Sequence, residues 1–516
     1  MRILRAEETA AVAAAIDPAL LRERAGYAVA QFCATQFTFR SVCIVCGTGA
    51  KGAAGLAAAA VLIGIAEEIA LLVLAGGIAE FDPAAELTPP IEPIWIADPA
   101  GFDDPAAQAA LCADLVIDAI GDAEFRSRLD PRAARAVAAI NDAAGLVVAI
   151  DSPTGIDPDS REAVAASGGN MVFAHGILAL VAPRPAHVFG DLTAGPIAIN
   201  ELGTQPALIA GGDPISVVTG ADVGLAFPRR ASTAVERDFG HVLIVGGERG
   251  RAGAAALAGL AALHAGAGRV TVACPHSSAA TVAGFDASLL TYALPETPDG
   301  RIDGATPDHL ASLLDGKHVV VLGPGLADRS ETAAAIRQLA AACRVPLVTG
   351  IGALVAGGDG AGAPYRVLVL DPSAEPPEDG MGMVRRIAAS HTACVVLRGA
   401  RSLVAGLSGE LWVNLTGGPA LAKAGAGEIL AGMIGAALAR RRVDGETTKG
   451  LSGARRLLLR DLAVAAAVHL HGLAGDLARD ALHEHAVVAR DLIDALPEAF
   501  RLCDRQIEQG LFYLNR

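Results

Sequence analysis

The chain has 516 residues, too many for one ordinary hydrophobic core, so its length predicts two domains. It is 52% hydrophobic with only 4% aromatic residues, a balance suited to helices packed closely on parallel sheets rather than to an aromatic-rich sandwich. A formal net charge of −15 speaks against nucleic acid as a main partner, while leaving room for a nucleotide held by a few local cations.

The opening MRILRAEETAAV is charged and then amphipathic, which is not a signal-peptide pattern. Val42–Cys46 reads as a strand that runs into the Gly-rich turn CGTGAKGAAG, with a helix around Leu56–Leu62. Cys43 and Cys46 form a C-x-x-C inside that strand. Their odd spacing sends them to opposite faces, so they read as buried structural thiols, and the eight cysteines show no disulfide framework. The apolar run 53–80 is the one candidate membrane span, but Glu67 and Glu68 interrupt it. A buried helix followed by a strand accounts for it, so no membrane partner and a cytoplasmic location are expected. Further strands are predicted at Ile69–Ala75, Leu115–Ala119 and Leu146–Ile150, with a helix over Arg132–Ala143 before the last. Such alternation gives an α/β fold with a doubly wound parallel sheet and ligands at the C-terminal strand ends.

The composition changes over Thr204–Ser232, which holds GGDP and Pro-Arg-Arg. The expected division is a first domain over 1–210, a linker over 211–230 and a second domain over 231–516. The second half restarts the pattern. A strand at His241–Val245 ends in GGERGRAG and feeds the helix AAALAGLAALHAGAG. Strands follow at Val270–Ala273, within Val319–Leu326 (ending in Gly-Pro-Gly), at Pro346–Val348, Val367–Leu370 and Cys394–Leu397.

Thr416–Ile434 reads TGGPALAKAGAGEILAGMI, a Gly/Ala-rich loop running straight into an apolar helix. Free amides at a helix start bind anions, and small residues let a phosphate come close. Glu428 stands at the junction, where a carboxylate can serve as a general base. A turn with an acidic N-terminal residue is the plainer reading of the loop alone. In the later helix, His469 and His471 sit at i and i+2. They do not share a face and read as structural rather than as a metal pair.

Taken in order, LLRERAG, CGTGAKGAAG, DLVIDAIG, AIDSPTGID, VLIVGGERGRAGAAALA, VLGPGL, VVLRGARS, TGGPALAKAGAGEILAG and VHLHGLAGDLA resemble the bifunctional NAD(P)H-hydrate repair enzymes over essentially the whole chain. The resemblance implies a Rossmann-like epimerase domain followed by a ribokinase-like dehydratase domain. Its implied activities are epimerisation of (R)- and (S)-NAD(P)HX, the hydrated forms of NAD(P)H, and ADP- or ATP-dependent dehydration of the S form to NAD(P)H. It also implies ADP or ATP, Mg²⁺ and K⁺ as cofactors, and NAD(P)HX as the small-molecule partner. A homo-oligomer is expected.

In the first domain the family pattern G-x-G-N-N-G-G-D-G stands as Gly47, Thr48, Gly49, Ala50, Lys51, Gly52, Ala53, Ala54, Gly55. The resemblance places Gly49, Ala50, Lys51 and Gly52 on the hydrate, Asp151 in the epimerisation, and Asp118 and Thr154 on the potassium ion. Lys51 replaces an Asn that would bind that ion. Either its ammonium stands in for potassium near Asp118 and Thr154, or the side chain points to solvent at a decayed site. The turn over Asp122–Arg126 departs from the family.

In the second domain Glu428 takes the place of the family's catalytic Asp. It keeps the carboxylate but moves it by roughly an ångström. Ala254, Gly325 and Asp371 fall on hydrate positions, Asp371 through a loose match. Arg398, Gly399, Ala400, Arg401, Ser402, Gly425 and Gly427 fall on nucleotide positions, with Arg398 as the phosphate cation in place of Lys. The family's acidic pair is absent from Thr349–Leu354. Two other functions stay open: a non-catalytic nucleotide-binding or scaffold member of the family, and a ribokinase-group kinase acting on a small alcohol.

Overall fold

The computed structural model describes residues 1–77, 91–121, 129–204, 215–303, 312–326, 336–337, 339–350, 363–371, 380–440 and 450–514. The expectations for residues 122–126, 351–354 and 372–373 lie outside these. The chain forms two compact units, one of Met1–Asp213 with Gln506–Arg516, the other of Pro214–Arg505.

Among the described residues the first unit carries an eight-stranded sheet. Its strands are β1 (Ser41–Cys46), β2 (Glu68–Val73), β3 (Ile94–Trp95), β4 (Leu115–Ala119), β5 (Leu146–Ile150), β6 (Gly176–Leu180) and β7 (Ile197–Asn200), closed by a late edge strand, Phe512–Tyr513. The order is Phe512–Tyr513, β7, β6, β5, β4, β1, β2, β3, with every pair parallel except the late strand on β7. The chain first winds outward from β1 through β2 to β3, then returns to β4 on the other side of β1. The β1/β4 junction is therefore the switch point, where a doubly wound sheet opens a crevice at its C-terminal edge. Strands buried on both faces explain the near-continuous apolar runs. Cys43 and Cys46 are both fully buried and pack into different clusters, one on each face of the sheet. Burial pushes the Cys46 thiol up to about 12 and holds Cys43 well above the usual thiol range, so neither is a nucleophile. The interrupted apolar run forms helix Ala50–Leu62 and then β2.

Among the described residues the second unit carries ten strands: β8 (Ile215–Val217), β9 (His241–Val245), β10 (Arg269–Pro275), β11 (Leu290–Leu294), β12 (Val319–Leu322), β13 (Leu347–Gly350), β14 (Arg366–Leu370), β15 (Cys394–Leu397), β16 (Ser402–Ala405) and β17 (Leu411–Asn414). Their order is β11, β10, β9, β12, β13, β14, β15, β16, β17, β8. Here the switch point lies between β9 and β12, and β15–β16–β17 form an antiparallel meander.

Two expectations are corrected. The segment taken as a linker, 211–230, holds β8, which pairs with β17, and helix Gly220–Ala226, which is capped through Asp222. Ile215 and Val217 are buried, so this short apolar stretch belongs to the second core. The end of the chain, in turn, belongs to the first unit, because Phe512–Tyr513 completes its sheet. Helix Gly453–Leu482 is long and apolar enough to cross a membrane by composition, but most of its apolar window is buried in the second core.

Candidate functional sites

In the first unit the site forms at the switch point. β1 ends in a loop so tight that a Cβ on Gly52 would lie 1.8 Å from the Gly47 carbonyl oxygen, so the short turn into helix Ala50–Leu62 depends on glycine. That turn aims Lys51 inward. Its side chain is 4% exposed, which corrects the reading that it points to solvent. The Nζ donates to the Ser152 carbonyl at 2.7 Å, to Thr154 Oγ1 at 3.2 Å and to Asp118 Oδ2 at 3.3 Å. Asp118, on β4, is fully buried and also accepts from the Thr154 amide and hydroxyl, both at 2.7 Å, and from the Ile120 amide. The Gly121 amide donates to Thr154 Oγ1 at 3.0 Å. Asp118, Thr154 and Lys51 thus come together, the first of the two arrangements the sequence left open.

Asp151 follows β5 directly. Its φ of 60° is unusual for a side-chain-bearing residue, and several bonds hold it. Arg184 Nη2 lies 2.5 Å from Oδ2, and the Leu180 amide donates to Oδ1. The Asp151 carbonyl lies 2.7 Å from His187 Nε2. Because the Arg184 amide donates to His187 Nδ1, the proton sits on Nε2 and points at Asp151. Burial lowers the His187 pKa to about 4, so the ring is neutral near neutrality. Arg184 and His187 escaped the sequence reading; the signal was an Arg between two prolines just after a strand at the C-terminal sheet edge. Asp151, Lys51, Ala50, Thr154 and Arg184 line a cavity of about 800 Å³, to which helices Ala6–Ala14 and Pro18–Gln36 add small and apolar residues together with Glu7, Thr9 and Arg22. Gly49 is the residue just before helix Ala50–Leu62, and Gly52 lies in its first turn.

In the second unit the loops after β9 and β12 meet. The Gly247 amide donates to the Pro324 carbonyl, and the Glu248 amide to Gly325. Gly325, at φ 72°, lies against Ala254 in the first turn of helix Ala252–His264, so the two predicted hydrate positions do converge. Leu257, one turn on, packs beside Gly425. Gly425 has a left-handed φ of 96° and starts helix Ala426–Ala439, whose first amides have no intrahelical acceptor. Arg398, at the end of β15, reaches this helix start. A Cβ on Gly427 would lie 2.7 Å from Arg398 Nη1, so the guanidinium sits directly against this glycine and would have to shift to admit a side chain. Arg398 also pairs with Asp371, at 2.5 Å. The Asp371 side chain is 81% exposed, so it neighbours the predicted phosphate cation at the rim. Gly399, Ala400, Arg401 and Ser402 form the β15–β16 turn, closed by Ser402 Oγ on the Gly399 amide and carbonyl.

Glu428 is half-buried in the first turn of helix Ala426–Ala439 and bonds to none of the described residues. His471, read as structural, has a more specific place. Its Nε2 lies 2.8 Å from the Ala426 carbonyl and fastens the helix start that carries Glu428. Burial first, and then Arg398, lower its pKa to about 4. The loop is anchored further by the Gly417 amide on Asp476, itself paired with Arg479. Among the described residues no cluster of three or more acidic, His or Cys side chains is placed to hold a metal.

Residues 19–186 match the family model described as YjeF-related protein N-terminus, and residues 242–360 and 365–498 match that of NAD(P)H-hydrate dehydratase. The chain is 30% identical to the bifunctional NAD(P)H-hydrate repair enzyme of Moorella thermoacetica, over 78% of this chain and 75% of that one. The chain belongs to the bifunctional NAD(P)H-hydrate repair enzyme family. The relative from Pyrobaculum aerophilum is 29% identical and spans 93% of this chain and 94% of its own. Among solved structures, the ADP/ATP-dependent NAD(P)H-hydrate dehydratase of Bacillus subtilis, co-crystallised with ATP/Mg²⁺, matches with 22% identity and a TM-score of 0.44, covering 57% of this chain and all of that one.

Proposed function

We propose that this family member repairs hydrated nicotinamide nucleotides at two sites. The second unit dehydrates (S)-NAD(P)HX to NAD(P)H at the expense of ADP or ATP, and the first unit interconverts the R and S epimers. The observation that carries the reading is the placement of one carboxylate per unit, Asp151 and Glu428, at the C-terminal edge of a doubly wound sheet.

In the second unit the nucleotide enters as a substrate with its Mg²⁺. Arg398 and the amides that open helix Ala426–Ala439 suit its phosphates, an anion at a helix start beside a guanidinium. Gly427 gives the phosphate close approach, and Arg401 and Ser402 sit at the rim. Ala254 and Gly325 leave a small-residue floor for the hydrated ring. Transfer of the nucleotide's terminal phosphoryl group to the ring hydroxyl turns it into a phosphate leaving group, and Glu428, whose side chain pairs with none among the described residues, is the base that takes the ring proton as that phosphate departs. His471 holds the turn that aims it.

In the first unit Asp151 is the group that handles the proton on the hydrate. Arg184 keeps its carboxylate oriented, and the His187 Nε2–H fixes its backbone. Of the turn, Ala50 and Lys51 line the cavity, while Gly49 and Gly52 lie outside its lining and shape the turn that carries them. The potassium ion implied by family resemblance does not fit beside Asp118 and Thr154, because the Lys51 ammonium already stands among their oxygens.

The test is to incubate separated (R)- and (S)-NADHX with the protein and follow both by chromatography. Without nucleotide each epimer should approach the same R/S mixture faster than the spontaneous rate. With ADP or ATP and Mg²⁺ the S form should be consumed to NADH. No acceleration of either process would overturn the proposal.

A further inference from the structure

The buried carboxylate of Asp118 needs a positive partner. It is fully enclosed, and an ionised carboxylate out of water is costly unless charge and hydrogen bonds compensate it. Three hydrogen bonds come from Ile120 and Thr154, and the charge comes from Lys51. Local sequence preference does not explain that lysine. It lies in the first turn of helix Ala50–Leu62, the positive end of the helix dipole, where a cation is disfavoured. Nor does solvent claim it, as its side chain is only 4% exposed. Its Nζ instead contacts a main-chain carbonyl, a hydroxyl and a carboxylate, the hard-oxygen surroundings that suit a monovalent cation.

We infer that the Lys51 ammonium is the permanent counter-ion of Asp118, and that the first unit neither binds nor needs a potassium ion at this position. A second cation there would touch the ammonium and be repelled by it at close range. The tether also makes the charge intramolecular, so the loops after β1, β4 and β5 keep their geometry at any salt composition. The inference rests on the epimerase reading only for its rate measurement; the stability measurement stands without it.

The experiment compares the full-length protein in potassium chloride and in choline chloride at equal ionic strength, by thermal unfolding and by the rate of NADHX epimerisation. The wild type should give the same first-unit melting midpoint and the same rate in both salts. K51N should melt about 10 °C lower in choline and regain most of that in a saturable way as potassium is added. If K51N folds in neither salt, K51M and the double variant K51M/D118N are compared. Removing both charges should recover the stability that removing one destroys. A potassium-dependent rise in the wild-type midpoint or rate overturns the inference. So does a K51N protein that melts like the wild type in choline, or a double variant no more stable than K51M.

Discussion

The two sites carry their charges in opposite ways. At the first site the central charges are answered from within: Lys51 faces Asp118, Arg184 faces Asp151, and His187 is buried and neutral. In the second, among the described residues, the Glu428 side chain has no partner and Arg398 pairs with a rim carboxylate that is mostly in water. The first site is therefore preorganised by its own side chains, and substitutions within it should act on fold and rate together. The second is built to receive charge from a substrate, and substitutions there should act on rate and affinity while sparing the fold.

The largest effect should come from Glu428→Ala, which is expected to slow nucleotide-dependent dehydration by about 10²–10⁴-fold in a steady-state assay while leaving epimerisation and the melting curve unchanged. Glu428→Asp should stay within about 100-fold of the wild type, since it keeps the carboxylate and shifts it by only about an ångström. An alanine variant of undiminished rate would remove Glu428 from the mechanism.

Asp151→Asn should cost a similar factor in epimerisation alone, about 10²–10⁴-fold, with dehydration of pure (S)-NADHX intact. Because Arg184 then loses its partner, the first unit should also melt lower, unlike the Glu428 case. That coupling of rate to stability is what separates the two sites; a rate loss with no change in melting would blur the contrast.

Arg398→Ala should raise the KM for ADP or ATP by about 10–100-fold, the value of one charge-assisted phosphate bond, with Arg398→Lys recovering part of it. Unchanged nucleotide kinetics would move the phosphate site elsewhere.

The smallest expected effect is on pH. His187 and His471 have folded pKa values near 4, below the ordinary 6.5, so the unfolded chain binds protons that the folded one refuses. Their contribution is fully present above about pH 6.5 and is lost as pH falls toward 4. Melting measured across that window should show both units weakening, and His471→Gln should remove part of the second unit's slope only, since His469 and His241 are also lowered to about 4.

Much of this was legible in the sequence. Val42–Cys46 and Val319–Leu322 declare themselves as strands because both faces are buried, and the Gly-rich turns after them mark the switch points. The antiparallel Phe512–Tyr513 strand was not legible, because it is two residues long and its partner β7 lies some 300 positions earlier. Strand β8 hid in a stretch rich in turn residues, since three residues carry no periodicity. At the sites, residue types were readable but orientations were not. Lys51 in a helix's first turn left its orientation open, and it is groups distant in sequence, Asp118, the Ser152 carbonyl and Thr154, that turn it inward. Arg184 belonged to no recognised segment, and its role appears only when β5 and β6 lie side by side.

The most direct measurement is recovery of reduced-nicotinamide absorbance from a mixed-epimer NADHX pool, with ADP or ATP and Mg²⁺ and choline in place of potassium. Complete recovery, at a rate beyond spontaneous epimer exchange, is the predicted result and requires both units to act. A plateau once the S form is spent would contradict an active first unit. No recovery, with nucleotide still bound, would mark the chain as a non-catalytic member of its family.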